Sequence, residues 1–234
     1  MGKRRRLMLE RAITVIGPPA AGKTTLTMQF GEVPGQDVFR LREHVPGAIL
    51  AATATSAERL GWIDDLTVAV ALRRYLESAV DDSSTNAVLF DNFPGSARQV
   101  GILLSTVQKL APRCVVHPVE LLAAETVLKR RIRERRVCHR CEDDPIRDPR
   151  LPATPSPADP RRCARCNNIL HPRRGDAPRL LAARMQRYRQ AAEGIRQAFA
   201  SAGLTVLQLE SNGPPQLIAH ELIALLNNAR STSP

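Results

Sequence analysis

Aromatic side chains are nearly missing from this chain: one Trp, two Tyr and five Phe make up 3% of its 234 residues. Proteins that hold single-stranded nucleic acid on a basic surface interleave the charges with aromatic platforms. The formal charge of +11 is therefore not read as a nucleic-acid surface, and the short basic run at 3–6 reads as a solvated tail. Lysine is scarce too, present only at positions 3, 23, 109 and 129, so arginine carries the charge. Two explanations stand: a pocket for a highly charged phosphate substrate, to which the guanidinium fork is suited, or codon bias in a chain rich in Ala, Arg and Pro. Long apolar runs are also lacking. None approaches the ~18 residues of a membrane span, and the basic start is not followed by the ~7–15 apolar residues of a secretory signal. The expectation is a soluble, cytoplasmic chain with no membrane partner, long enough for one α/β domain with inserts.

What is present begins with the stretch 13–25, Ile-Thr-Val-Ile-Gly17-Pro18-Pro-Ala20-Ala21-Gly22-Lys23-Thr24-Thr25. An apolar run leads into a glycine-bounded loop, and Lys with two threonines opens a helix. The spacing Gly17-x4-Gly22-Lys23-Thr24 is that of a phosphate-binding loop. Backbone N–H groups can wrap a polyphosphate only where side chains are small, and the helix points its positive end at the same anion. Lys23 would bring a full charge to the outer phosphates, and a Thr hydroxyl can sit on Mg2+.

The remaining pattern alternates strands and helices. Strands are expected at 12–16, 87–90, 114–121 and 204–209, and helices at 22–30, 56–79, 96–110, 125–137, from Asp176 to Gly203, and 215–228. Asp64-Asp65 reads as a helix cap, with Trp62, Ile63, Leu66, Val70 and Leu72 in helical spacing. Pro118 suggests a bulge or an edge strand. Asp91 closes an apolar strand beside the loop, where a Mg2+-water ligand would sit; a turn or cap role is the alternative. Arg131 and Arg135 lie four apart in the arginine-dense helix, a like-charged row that a polyanionic partner explains. Asp176 before Pro178 reads as the cap of the long helix, whose stripe Leu181, Met185, Tyr188, Ala192, Ile195 and Phe199 reads as core. This alternation is a doubly wound parallel sheet.

Residues 138–174 change character. They hold Cys138-His-Arg-Cys141 and Cys163-Ala-Arg-Cys166, many prolines and no sustained apolar period. Two Cys-x2-Cys pairs fit a tetrahedral Zn2+ site with a closed, structural ligand set. Such a site contributes on the order of ten kcal/mol to folding a segment this poor in core residues. His139 and His171 are read as bystanders, the stretch 145–160 as an extended loop, and Cys114 as a small buried residue.

With these features in this order, the chain resembles the adenylate kinase family, in the form whose lid carries zinc. The family's Gly-Pro-Pro-Gly-Ala-Gly-Lys-Gly-Thr is similar to 17–25, with Ala20 and Thr24 in place of two glycines. Its Gly-Asp-x-x-Arg resembles Gln36-Asp37-Val-Phe-Arg40, and its Asp-Gly-Phe-Pro-Arg, followed by Gln, resembles Asp91-Asn92-Phe93-Pro94-Gly95, then Gln99. Its Arg-x3-Arg-Arg matches Arg131, Arg135 and Arg136, and its post-lid residues match Arg173, Asp176, Arg184 and Tyr188. The resemblance implies an α/β fold: a P-loop doubly wound parallel five-stranded sheet with a helical acceptor-binding insert and a four-cysteine zinc lid insert. The implied divisions are core 1–33, acceptor insert 34–80, core 81–137, lid 138–174 and core 175–234.

It also implies transfer of the ATP γ-phosphoryl to AMP or a related nucleotide, by a monomer acting on small-molecule nucleotides, with Mg2+ accompanying the substrate and Zn2+ structural. Gly17, Pro18, Ala20, Ala21, Gly22, Lys23, Thr24, Thr25 and Arg131 would hold ATP. Lys23, Arg135, Arg173 and Arg184 would be catalytic, Asp37, Arg40 and Gln99 would hold the acceptor, and Thr24 and Asp91 would form the Mg2+ shell. Departures gather on the acceptor side. The family's Arg after Phe-Pro is Gly95 here, Gly35-Gln36 replaces Ser/Thr-Gly, and one lid Asp is Gly175. Losing one charged phosphate contact, worth about 1.5–3 kcal/mol, would weaken AMP by on the order of 10–100-fold. Two other readings stay open: the same transfer to a specialised acceptor, or a catalytically weak regulatory relative that binds ATP and zinc.

Overall fold

The computed structural model of the chain describes residues 8–54, 62–142, 151–214 and 217–223. In chain order the first half holds β1 (Arg11–Ile16), α1 (Lys23–Gly31), β2 (Gln36–Phe39), α2 (Gly47–Ala54), α3 (Asp65–Asp81), β3 (Ala87–Asp91) and α4 (Ala97–Leu110). Then follow β4 (Val115–Leu122), α5 (Glu125–Glu134), β5 (Arg136–Val137), β6 (His171–Pro172), α6 (Pro178–Ser201) and β7 (Leu207–Glu210), with a last helical run at 217–223.

Five strands make one sheet in the order β2-β3-β1-β4-β7, every neighbouring pair parallel. A strand covered on both faces is apolar throughout and does not alternate. Hence Ala12, Ile13 and Val15 of β1 and Ala87 to Phe90 of β3 are fully buried and adjacent. One face packs Phe39, Phe90, Phe93, Leu72, Leu76 and Leu103 in a single core. The other packs Ile13, Val15, Leu26, Leu121, Leu128 and Leu222. A third cluster, Val100 with Ile195 and Phe199, fastens α4 to α6. The scarce aromatics are concentrated: Phe39 meets Tyr75, Phe90 and Phe93 at centroid distances of 4.9, 5.4 and 5.7 Å. Such tilted and edge-on contacts each add about 0.5–1.5 kcal/mol beyond burial. No helix among the described residues is long and apolar enough to cross a membrane.

Several local expectations are corrected. Residues 36–39, inside the 34–80 segment, form the edge strand β2 of the main sheet. α2 occupies 47–54, ahead of the expected helix, and the 55–61 part of that expectation lies outside the described residues. Asp64 does cap α3, accepting from Thr67 N at 2.9 Å. However, Leu66 and Val70 are 76% and 44% exposed, and the buried face is Val68, Ala71, Leu72, Tyr75, Leu76 and Ala79. Pro118 lies in an interior strand, where a missing N–H would be costly. It is tolerated because β7 pairs with β4 only from Val119 onward. α5 stops at Glu134, so Arg135 is its extended C-cap and 136–137 form β5. The strand expected at 204–209 is β7 at 207–210, and Cys114 is half-buried ahead of β4. The tail at 3–6, residues 143–150 of the proline-rich stretch, and 215–216 and 224–228 of the last expected helix lie outside the described residues.

Candidate functional site

The carboxyl ends of β1, β3 and β4 open onto one rim, the place where parallel α/β sheets receive ligands. The loop after β1 is held there by backbone geometry that few residues tolerate. Gly17 has φ +149°, and a Cβ on it would lie 2.7 Å from the carbonyl oxygen of Leu121 on β4. Gly22, at φ +96°, starts α1 without a side-chain cap, so the first N–H groups of the helix are left facing the loop. Between them Ala20 is left-handed at φ +68°, a conformation that costs a non-glycine residue about 1–2 kcal/mol. Thr24 and Thr25 are half-buried in the first turn, and the Thr24 carbonyl accepts from the Thr27 hydroxyl at 3.0 Å.

The Lys23 ammonium folds back and donates to the carbonyls of Gly17 at 2.7 Å and Pro18 at 2.8 Å. Burial pushes its pKa down to about 7; the nearby Asp91 carboxylate opposes this, while Arg184, Arg135 and Arg173 add to it by repulsion. Three arginines from three segments thus stand close enough to press on one ammonium. Asp176 gathers two of them. Arg135 donates through Nε to Oδ2 at 2.8 Å and through Nη2 to Oδ1 at 2.5 Å. Arg184 stands 3.8 Å from the same carboxylate and donates to Gly175 O at 2.9 Å. The helix cap read from Asp-x-Pro is therefore corrected: the N-cap of α6 is Ala177, and Asp176 is a 5%-exposed counter-ion to the arginines. Arg131 reaches the loop instead, donating to Ser211 O at 2.6 Å, Gly213 O at 3.2 Å and Ala20 O at 3.4 Å.

Asp91 ends β3 beside this group. Burial raises its carboxyl above the usual range; Lys23, Arg40 and a contact with Thr27 act the other way. Arg40 Nε stands 3.7 Å from Oδ2, while the buried Oδ1 has no hydrogen-bond partner among the described residues. A buried carboxylate oxygen with no donor is suited to a cation or to water on one. Asp37 accepts from Tyr75 Oη at 2.7 Å and from Val38 N at 2.7 Å. Gln99 is 3% exposed, and both ends of its amide have protein partners: Oε1 accepts from Gly95 N at 2.8 Å and Nε2 donates to Asp65 at 3.2 Å.

Cys138, Cys141, Cys163 and Cys166 come together, their sulfurs all within 4.8 Å of one another. Cys138 and Cys166 approach to 3.4 Å, and Cys141 and Cys163 to 3.7 Å. Thiolates at 2.3 Å around a tetrahedral ion stand about 3.8 Å apart, so the group could hold a metal ion such as zinc. The unit rises from the antiparallel pair β5–β6, and among the described residues its own core is Leu170 with the cysteines and Ala153. The rings of His139 and His171 lie 5.9 Å apart, tilted by 47°, and neither residue belongs to the sulfur cluster. A cleft of about 890 Å³ separates the cysteine unit from Met28, Asp37 and Arg40 on the sheet side. Cys114 stands apart, its thiol pushed up to about 12 by burial.

Lys23, Asp91, Arg135, Arg173 and Arg184 are thus brought together, Arg40 reaches the same group through Asp91, and Asp37 and Gln99 are engaged by α3 residues. Asp176 was missed as an organising acid because Asp-x-Pro also signals a helix start. Trp62 fits a helical stripe by spacing, but in the fold it packs against Gly95, 3.1 Å from the Cβ position. Compared with known proteins, the chain matches no family model and no curated protein.

Proposed function

We propose that the chain is an ATP-dependent nucleoside monophosphate kinase of the adenylate kinase type, working as a cytoplasmic monomer on small nucleotides. The observation that carries the reading is the convergence on Lys23: a buried ammonium in a glycine-bounded loop, a buried acid at the neighbouring strand end, and Arg135, Arg173 and Arg184 near enough to repel it. Phosphoryl transfer asks little covalent chemistry of a protein and much positioning of charge. Gly17 to Thr25 is the P-loop in this reading, wrapping the donor phosphates with Lys23 on the outer ones and Arg131 holding the loop and the donor. Arg135, Arg173 and Arg184 neutralise charge on the phosphoryl in flight. Asp176 keeps two of them in register before substrate arrives, so less reorganisation falls on the reaction itself.

Asp91 and Thr24 are the groups fitted to Mg2+, whose chemistry is to screen the phosphate oxygens. Zinc, held by the four cysteines, would be structural and fold a lid that excludes water. Arg40 with Asp37 and Gln99 forms the acceptor side. The specialised-acceptor reading has an observation in its favour: Gly95, in the place of a phosphate-gripping Arg, is covered by Trp62.

A coupled assay of ADP formation across AMP, other monophosphates and unphosphorylated nucleosides tests the function. Turnover with AMP, lost in Lys23→Ala, is expected; turnover of another acceptor in preference to AMP establishes the second reading. ATP binding with no turnover of any acceptor overturns both and leaves a regulatory ATP and zinc binder.

A further inference from the structure

The eight aromatic side chains are not used alike. All five Phe and Tyr75 are buried, and Tyr188, half-buried, donates its hydroxyl to Glu120 at 2.7 Å. Trp62 remains, half-buried three residues ahead of α3. Its six-membered ring edge rests on Gly95, where a Cβ would stand 3.1 Å from Cη2 and 3.2 Å from Cζ3. The Arg187 guanidinium carbon lies 5.3 Å from the indole centroid, within cation–π range. Arg187 comes three residues after Arg184, so both leave α6 on one side: Arg184 toward the Lys23 group, Arg187 toward the indole. Beside them the Gln99 amide is held at both ends, by Gly95 and by Asp65. Asp65 also pairs with Arg98 at 3.4 Å.

A Cβ at 95 would press on the indole closely enough that the ring must give by a few tenths of an ångström, so Gly95 and Trp62 form a close-packed pair. An amide already engaged is poorly placed to read the hydrogen-bonding edge of a base. We propose that Trp62 is a specificity-determining residue of the acceptor subsite, an aromatic platform, oriented by Gly95 and Arg187, on which the acceptor's heteroaromatic ring stacks. This inference rests on the phosphotransfer reading above. Stacking is tolerant of base identity because every base has a π-face. The subsite therefore selects a ring-bearing acceptor and discriminates weakly among purines.

Trp62 is the chain's one tryptophan, so intrinsic emission reports this site alone. AMP and adenosine, added without ATP, are expected to quench it, and ribose 5-phosphate to leave it unchanged. Trp62→Leu should raise the KM for AMP about tenfold or more with kcat and the KM for ATP within about twofold, while Trp62→Phe stays within about threefold for all three. Equal quenching by ribose 5-phosphate, or no quenching by any of the three, overturns the platform; so does an AMP KM within twofold of wild type in Trp62→Leu. Should Trp62→Leu not fold, the emission titration and Trp62→Phe decide. An active enzyme indifferent to Trp62 sinks this inference alone, whereas absence of ADP formation with every acceptor sinks the phosphotransfer reading.

Discussion

Lys23 offers a test that uses protons as the readout. Its ammonium is desolvated and repelled by three arginines, which brings its pKa to about 7. A polyphosphate wrapped by the loop reverses that balance and should return the group to full protonation. At pH 8 the free protein carries about 0.1 proton on Lys23, so binding takes up about 0.9; at pH 7 the uptake is about 0.5. Titration calorimetry of Mg-ATP at pH 8, in two buffers of different ionisation enthalpy, measures this number directly. Lys23→Met should abolish the uptake while weakening binding.

The same depression has a stability consequence of definite sign. The unfolded lysine holds its proton up to about pH 10.5 and the folded one only to about 7. Between those values the unfolded chain binds more protons, and stability rises with pH. At pH 7 the ligand-free wild type should be less stable than Lys23→Met, by at most about 4 kcal/mol, and the two should converge above pH 10.5. An uptake near zero at pH 8, or an equal uptake by Lys23→Met, would refute the burial argument.

Gly17→Ala would drive a Cβ into the Leu121 carbonyl at 2.7 Å from a left-handed backbone. A loss of about 2–4 kcal/mol in thermal or denaturant unfolding is expected, and an unchanged melting curve would contradict the close approach. Asp176→Asn leaves Arg135 and Arg184 without their shared carboxylate. It should cost about 1–3 kcal/mol and, in the proposed enzyme, lower kcat more than the KM for ATP, which steady-state kinetics separates. Elemental analysis should find one zinc per chain. A strong chelator should make residues 138–172 sensitive to protease while the sheet persists, because the unit's own core is Leu170, Ala153 and the cysteines; a chelated unit that resists protease would argue against metal-dependent folding.

Local chemistry made much of this readable. The apolar runs at 12–16 and 87–90 could form only buried strands, since neither alternates. Gly-x4-Gly-Lys placed a small-residue loop before a helix, and the cysteine spacing assembled four sulfurs because two Cys-x2-Cys turns need only one approach between them. Where several conformations share one pattern, local spacing does not choose among them. Leu66 and Val70 kept helical spacing yet lie on the exposed side of α3, because the face that docks is chosen by Phe39 and Phe90 across the sheet. Pro118 suggested an edge, because which neighbour pairs with which residue is a property of the register and not of the residue.

The sequence by itself determined the loop, the two Cys-x2-Cys pairs, the strand–helix alternation and the arginine surplus, since each rests on residues a few positions apart. Only the tertiary structure decided what those arginines face. Asp176 became their counter-ion, Arg40 came to Asp91, and Trp62 came to rest on Gly95 across 33 positions of chain. The physical reason is separation: charge pairs and ring contacts between distant segments depend on how the strands order in the sheet, and no local propensity encodes that order.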